Sequence, residues 1–368
     1  MAHVEADPVL LCVQDAEQLA ELVLPADVRD FVGGGSGSEL TLAANRAALD
    51  RVHLLPRVLT DISACSTSAE LLGCPASMPV AIAPMSYQRM VHPAGELGVA
   101  RAASDAGIPF VMSMMSSYPL EELAAAGGTI WLQLYWLRDR APLLSLVRRA
   151  ERAGCRAVML TVDLPIMGRR LRDMRSGFAL PPGITAVNLD DDAAALAGTP
   201  VTGSSAVARQ TAQTIDPSLS WADVAWLRDQ TSLPLVLKGI LDPRDAARAA
   251  DLGVDAIVVS NHGGRQLDGA VPSIAALADV CEAVAGRCAV LLDSGVRSGT
   301  DVLRAIALGA SGVLLGRPAL WGLAYGGEHG ARQVLALLQE ELADAMSLAG
   351  CPDVSAASRL RTAMAGSA

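Results

Sequence analysis

The sequence lacks any pair of cysteines in a CxxC spacing, although seven cysteines occur among its 368 residues. Structural metal sites and disulfide frameworks both use recurring cysteine spacings, so an odd and scattered set indicates reduced thiols. The sequence therefore predicts a cytoplasmic protein with no metal site.

Long apolar runs and an excess of positive charge are also missing. No stretch approaches the ~18 consecutive apolar residues that suggest a membrane span, and residues 1–24 lack the basic region of a secretion signal. With 29 basic against 39 acidic residues, the formal net charge is −10, which repels nucleic acid and anionic membranes. We expect neither as a partner, and an anionic ligand must be held by a local positive cluster.

Apolar residues are abundant, at 51% of the chain, which is enough for a large buried core. From Pro79 onward, short apolar segments alternate with longer segments of helical periodicity, as in successive βα units. Eight strands are predicted, at Val80–Ala83, Pro109–Met112, Ile130–Leu134, Ala157–Val162, Leu235–Lys238, Ala256–Val259, Val290–Asp293 and Gly312–Leu315. Helices are predicted at Glu96–Ala106, Pro142–Ala153, Asp242–Leu252 and Thr300–Leu308.

Eight parallel strands, each followed by a helix, close into an α/β fold of the (β/α)8 TIM barrel type. A doubly wound open sheet is the alternative, and it would usually carry a GxGxxG turn after its first strand. No such turn follows Val80–Ala83. The glycines between Gly33 and Gly37 precede that strand, so we interpret them as a turn between N-terminal helices.

Two segments depart from the repeating pattern of the barrel. Residues 1–77 are expected to form an N-terminal helical extension, and residues 178–220 form a long connection after the fourth strand. That connection is rich in Asp, Ala, Gly and Ser, and loops of this length are often functional lids. We expect a single barrel domain over residues 1–368 with a lid-like loop.

Polar residues cluster where the predicted strands end, and barrels of this type have their active sites at the carboxyl ends of the strands. A single histidine or arginine after a strand is usually an ordinary loop or surface residue. Closure of the barrel would bring these strand ends together, so the cluster predicts an active site. Its members are Gln133, Tyr135, Thr161, Asp163, Lys238, Ser260 to Gln266, Asp293, Gly295, Arg297, Gly316 and Arg317.

The segment SNHGGRQLDG, residues 260–269, resembles the active-site signature of the FMN-dependent 2-hydroxy acid oxidases and dehydrogenases. The resemblance covers nearly the whole chain, and GRRLRDMRSGFALP and APMSYQR are most similar to the 4-hydroxymandelate oxidase branch. It continues through APMSY from Ala83, QLYW from Gln133, TVD from Thr161, GRRLRDMR from Gly168, LKG from Leu237, LLDSGVRSGTD from Leu291 and LGRP from Leu315.

The resemblance implies roles for the residues that would handle a substrate. His262 would be the catalytic base, and Asp163 would stabilise its imidazolium, since a nearby carboxylate favours the charged form. Arg265 and Arg170 would bind the substrate carboxylate through charge-assisted hydrogen bonds. Tyr135 would supply a hydroxyl near the substrate carboxylate or its reacting oxygen.

The resemblance also implies a site for FMN. Lys238 would lie beside the flavin edge that becomes negative on reduction, and Arg297 and Arg317, with the backbone of Gly295 and Gly316, would bind the phosphate. Barrels often bind phosphate after strands seven and eight, which agrees independently. The remaining implied contacts are Ala83, Pro84, Met85, Ser113, Gln133, Thr161 and Ser260 at the isoalloxazine ring, and Asp293 at the ribityl chain.

Three positions differ from the pattern of the family. Arg29 stands where glycolate oxidase has a tyrosine touching the substrate carboxylate, so this N-terminal contact is not expected. Ser294 replaces a usual glycine beside the phosphate site. Met115 replaces a tryptophan near the substrate, which predicts a reshaped pocket.

The leading hypothesis is oxidation of an (S)-2-hydroxy acid, a mandelate or its 4-hydroxy form, with oxygen as acceptor and hydrogen peroxide released. A dehydrogenase that passes electrons to a quinone or a protein acceptor is the close alternative. Its membrane-bound form would carry an apolar membrane-binding stretch after the fourth strand. Residues 185–220 are instead polar and include Asp190 to Asp192, which argues against that form. A glycolate or lactate oxidase, a non-catalytic FMN-binding barrel and a phosphate-binding barrel isomerase are further alternatives. A homotetramer is expected from the resemblance.

Overall fold

The computed structural model describes residues 9–189, 196–199 and 205–364. Its centre is a closed barrel of parallel strands, in which β10, β11 and then β4 to β9 follow one another around the ring. Three short strands come before the barrel: β1 (Val52–Leu54), β2 (Ala69–Leu71) and β3 (Cys74–Ala76). The barrel strands are β4 (Val80–Ile82), β5 (Phe110–Ser113), β6 (Ile130–Leu134), β7 (Val158–Thr161), β8 (Leu235–Ile240), β9 (Ala256–Val259), β10 (Ala289–Leu292) and β11 (Gly312–Leu315). All eight predicted strands and the (β/α)8 fold are thereby confirmed.

Helices surround the barrel, and several begin at the side-chain caps that the sequence supplies. Asp139 and Ser298 each accept a hydrogen bond from a main-chain N–H of the first helical turn, which stabilises the helix start. The helices are α1 (Val13–Val23), α2 (Ala26–Gly33), α3 (Leu40–Asp50), α4 (Gly95–Asp105), α5 (Leu120–Ala125), α6 (Arg140–Arg152), α7 (Leu171–Ser176), α8 (Ala206–Thr214), α9 (Trp221–Arg228), α10 (Pro243–Asp251), α11 (Ser273–Val284), α12 (Gly299–Ala307), α13 (Arg317–Leu348) and α14 (Val354–Ala357).

The N-terminal extension is helical only in part. The prediction holds for residues 13–50, which contain α1 to α3, but it is wrong for residues 52–76, which contain no helix and include the short strands β1, β2 and β3. The β2–β3 hairpin belongs to the same apolar cluster as the barrel interior, because it packs Leu71 and Ala76 with inward-facing residues such as Val111 and Trp131. β1 instead pairs with the C-terminal strand β12 (Thr362–Met364).

The long connection after β7 is not a structureless loop throughout. Its described residues include α8, which begins after Ser205, whose hydroxyl accepts from the N–H of Ala208. Asp190 to Asp192, on which the polar-loop argument depended, lie outside the described residues. Across the described ranges, no helix combines the length and the apolar character that crossing a bilayer requires.

Candidate active site

His262 and Asp163 form a hydrogen-bonded pair at the carboxyl end of the barrel. His262 follows β9 and Asp163 follows β7, and His262 Nδ1 lies 2.8 Å from Asp163 Oδ1. Burial lowers the pKa of His262, and Asp163 only partly offsets this effect. The imidazole is therefore neutral at neutral pH, and with Nδ1–H donating to the carboxylate, Nε2 presents its lone pair.

Glycine makes room for this pair. Gly239 has φ +112, and a Cβ at that position would lie 2.5 Å from Asp163 Cβ. His262 itself has φ 59, in the left-handed region that is costly for a residue with a side chain. Its main-chain N–H donates to Ser260 Oγ at 3.0 Å, which helps to hold this conformation.

The N-terminal helices hold the catalytic loop, residues 260–269, in place. Asn45 of α3 and Asn261 exchange two amide hydrogen bonds, of 2.9 and 2.7 Å, and both side chains are buried. The main-chain N–H of Ser36 donates to Gly264 O at 2.9 Å. The extension is therefore an integral part of the site.

Two arginines converge on one aromatic ring. The guanidinium carbons of Arg265 and Arg170 lie 5.1 and 5.7 Å from the ring centroid of Phe31 in α2. Burial lowers the pKa of both groups, and their mutual repulsion lowers that of Arg170 further. Within the described ranges, neither forms an ion pair, and buried Arg170 Nε has no hydrogen-bond partner. An anion such as a carboxylate would stabilise both charges.

Tyr135 lies beside His262 with their rings nearly parallel and their centroids 6.5 Å apart. Burial raises the pKa of Tyr135, although Lys238 opposes this shift. The phenol therefore keeps its proton and can donate it to an oxygen atom of a bound ligand.

Lys238, Asp293 and Ser260 form a charged cluster at the base of the site. Lys238 Nζ lies 3.0 Å from Asp293 Oδ2 and 3.2 Å from Ser260 Oγ, and that hydroxyl donates to Asp293 Oδ2 at 2.6 Å. Burial opposes both charges, but their attraction outweighs it, so the pKa of Lys238 is raised and that of Asp293 is lowered. The lysine remains a cation at this depth.

Arg297 and Arg317 form a second positive group beside Gly295, at the start of α13. Burial lowers the pKa of both, most strongly for Arg317. Arg317 donates only to main-chain oxygens, including Val32 O at 3.0 Å, and neither arginine forms an ion pair among the described residues. Helix N-termini and guanidinium pairs both favour phosphate, so this end of the cavity suits a phosphate group.

Residues at the carboxyl ends of β5, β6 and β7 fit the flat ring of FMN. Gln133 Nε2 donates to Thr161 Oγ1 at 2.9 Å, and buried Gln133 Oε1 has no hydrogen-bond partner among the described residues. That orphan oxygen fits a ligand N–H donor, and Lys238 supplies the cation that a reduced flavin requires. At the end of β5, the hydroxyl of Ser113 forms a hydrogen bond of 3.3 Å with the hydroxyl of Ser86.

One cavity, partly open to solvent, joins these groups. Of the predicted site residues, Asp163, Ser113, Gln133, Thr161 and Ser260 are not among those that line it. Arg29 is not among the residues that line it, and it lines a neighbouring cavity together with Arg297 and Arg317. The predicted site residues that line the cavity are Ala83, Pro84, Met85, Tyr135, Arg170, Lys238, His262, Arg265, Asp293, Gly295, Arg297, Gly316 and Arg317.

Sequence reasoning missed several residues that build the site. Phe31 lies against both substrate-site arginines, and the main-chain oxygen of Gly34 accepts from both Arg265 and Arg317. The glycine segment after α2 is thus a turn that orients guanidinium groups. The four glycines were a visible signal, but nothing local predicts that their carbonyls meet residues more than two hundred positions away.

Ser294 shows why glycine is usual at its position. It has φ 85, a conformation that favours glycine, and its hydroxyl accepts from the N–H of Gly263 at 2.9 Å. This hydrogen bond links the segment after β10 to the catalytic loop beside His262.

Comparison with known proteins gives consistent results. A 4-hydroxymandelate oxidase from Amycolatopsis orientalis is 56% identical over 95% of this chain and 97% of its own length. An L-lactate oxidase from Nostoc sp. is 47% identical over 91% and 93%. The crystal structure of a mandelate oxidase with (S)-4-hydroxymandelic acid superposes with a TM-score of 0.94 at 55% identity, covering 96% of this chain and 99% of that one.

The family description "FMN-dependent dehydrogenase" matches residues 20–363, nearly the entire described chain. The matched range includes the His262–Asp163 pair and both arginine pairs, Arg170 with Arg265 and Arg297 with Arg317. The fit of the cavity to FMN and the match over this range lead to the same result. The chain belongs to the FMN-dependent dehydrogenase family and uses FMN as its cofactor.

Proposed function

We propose that this chain oxidises (S)-2-hydroxy acids to 2-oxo acids, with mandelate or its 4-hydroxy form as the preferred substrate. The observation that carries the proposal is the placement of a neutral, carboxylate-paired His262 in the same cavity as Arg265 and Arg170. A 2-hydroxy acid carries both groups that this arrangement addresses, a carboxylate and an adjacent hydroxyl.

The side chains have distinct tasks in this reaction. Arg265 and Arg170 bind the carboxylate, and His262 Nε2 accepts the proton of the α-hydroxyl. Asp163 stabilises the resulting imidazolium, and Tyr135 donates to the substrate oxygen. When bound, FMN would supply the acceptor for the α-hydrogen and its two electrons, which leave the α-carbon together as a hydride or its equivalent. Lys238 holds a positive charge where negative charge then develops.

The preference for an aromatic side chain is supported by an apolar wall of the cavity. Met85, Met115 and Met167 are among the residues that line the cavity. Thioether side chains adapt to aromatic rings and contribute ~0.3–1.5 kcal/mol per contact. Burying a phenyl ring there contributes about 2–3 kcal/mol, which exceeds what the small side chains of glycolate or lactate can gain.

We further propose oxygen as the electron acceptor, so that a 2-hydroxy acid and oxygen give a 2-oxo acid and hydrogen peroxide. The relatives named as oxidases support this choice over a quinone-dependent or protein-dependent dehydrogenase. The family resemblance supports a homotetramer, and the cysteine spacing supports a cytoplasmic location. Helix α8, in the described part of the connection after β7, lines the cavity as part of its wall, and a lid-like role for residues 178–220 stays a prediction.

The test is a steady-state comparison of substrates with purified holoenzyme under oxygen. We expect kcat/KM for (S)-mandelate and (S)-4-hydroxymandelate to exceed that for glycolate and L-lactate by at least about tenfold, as differential burial of the ring predicts. Oxygen consumed should equal peroxide formed. Equal turnover of glycolate would contradict the substrate preference, whereas turnover with an artificial acceptor but not with oxygen would favour the dehydrogenase.

A further inference from the structure

Helix α8 contributes polar groups to the lining of the cavity, which also includes Met85, Met115 and Met167. Val207, Gln210 and Thr211 of α8 line the cavity, as does Tyr87 from the segment after β4. Tyr87 is 1% exposed and Thr211 is 8% exposed, so neither hydroxyl exchanges freely with bulk water. Polar groups at such depth require partners.

Each hydroxyl donates its only proton within the protein. Tyr87 Oη donates to Gln210 Oε1 at 2.5 Å, and Thr211 Oγ1 donates to Val207 O at 2.9 Å, with Met167 Sδ as a more distant acceptor at 3.9 Å. Burial raises the pKa of Tyr87, so its phenol stays protonated and keeps this direction of donation. Because a hydroxyl has one proton and two lone pairs, both groups retain only acceptor capacity for a ligand.

The backbone around these hydroxyls is fixed in position. Main-chain hydrogen bonds from Arg138 to Thr214 O, at 3.0 Å, and from Asp216 to Trp136 O, at 2.8 Å, join the end of α8 to the segment after β6. Tyr87 has φ 56, and its N–H donates to Met115 O at 3.2 Å. The wall is therefore organised before a ligand arrives.

We propose that Tyr87 and Thr211 form an acceptor subsite for a hydrogen-bond donor on the aromatic ring of the substrate. The inference rests on the proposed function, in which the carboxylate lies at Arg265 and Arg170 and the ring lies against the methionines. A hydroxyl on the ring carbon opposite the α-carbon then projects away from the arginines. The subsite selects a phenol over an unsubstituted ring.

The first experiment varies the substrate with the wild-type holoenzyme. We expect kcat/KM to be at least about fivefold higher for (S)-4-hydroxymandelate than for (S)-mandelate, in line with one net hydrogen bond. The 4-methoxy analogue has an oxygen but no donor, so it should lose this advantage. A ratio near one, or a 4-methoxy compound as good as the phenol, would overturn the subsite.

The second experiment varies the protein. Tyr87→Phe and Thr211→Val should each lower the ratio of the two kcat/KM values by about two- to fivefold, toward one, while Tyr118→Phe and Thr214→Val, whose residues lie outside the cavity lining, should not. The ratio is measured in one preparation, so a partial folding defect cancels. An unchanged ratio in both variants would contradict the inference.

The two proposals can fail separately. If both mandelates are turned over no better than glycolate, the aromatic preference of the proposed function is wrong. If mandelates are preferred but the 4-hydroxyl brings no advantage in the wild type, only the acceptor subsite is wrong. Thr211→Val and the 4-methoxy substrate decide the matter even if Tyr87→Phe does not fold.

Discussion

Gln266 donates from its side-chain amide to the main-chain oxygen of Asp163 at 2.8 Å. The same amide donates to Ile166 O at 2.9 Å, and its oxygen accepts from the N–H of Gly168 at 3.1 Å. One side chain of the catalytic loop thereby holds the segment after β7, which carries the partner of His262. Gln266 touches no reacting atom, so its role is to position Asp163.

Replacing Gln266 by Met removes all three hydrogen bonds at similar volume. We expect flavin reduction to slow by about 10- to 100-fold, since small displacements of a catalytic pair are costly, while FMN content stays normal. Stopped-flow reduction at saturating substrate measures this step. Gln230→Met, on the segment before β8 at the opposite end of the barrel, is the matched control. Unchanged reduction in Gln266→Met would show that Asp163 is held by other contacts.

Replacing His262 by Ala removes the proposed base. It leaves in place Arg297 and Arg317, the residues assigned to the FMN phosphate. The rate of flavin reduction should fall by a factor of ~10²–10⁴, the usual contribution of a general base. The visible spectrum should still show bound FMN. Near-normal reduction would exclude His262 as the base.

The acid limb of the pH profile should report His262. Since burial lowers the pKa of His262, kcat/KM should stay high until the pH drops below its ordinary value of 6.5 and then fall as the imidazole gains a proton. Asp163 raises this pKa, so Asp163→Asn should move the acid midpoint to lower pH and reduce the maximal rate. A midpoint that moves upward in Asp163→Asn would contradict the assigned pair.

The two arginine pairs, Arg265 with Arg170 and Arg297 with Arg317, should bind different ligands. Arg265→Met should weaken binding of substrate and 2-oxo acid by ~2–5 kcal/mol, the usual cost of breaking a desolvated charge pair. Arg317→Met should instead weaken FMN, which is measured by titrating the apoprotein with FMN. Wild-type protein should be yellow as purified. Normal binding of the 2-oxo acid by Arg265→Met would place the carboxylate elsewhere.

The sequence by itself determined the strand positions and the fold class. Strands buried on both faces require continuous apolar segments, and this pattern is local, so all eight strands were found within a few residues of their observed bounds. It also determined which polar side chains gather, because the carboxyl ends of parallel strands share one rim. His262, Lys238 and Arg317 each follow from this rule.

Only the tertiary structure decided how these side chains are held and what surrounds them. Phe31 stacks on Phe178 with ring centroids 4.4 Å apart, and Gly34 O meets Arg265 and Arg317. Such contacts join segments far apart in the chain and leave no periodic signal. The depressed pKa of His262 likewise comes from burial, which exists only after the barrel has closed and the N-terminal helices have packed over its rim.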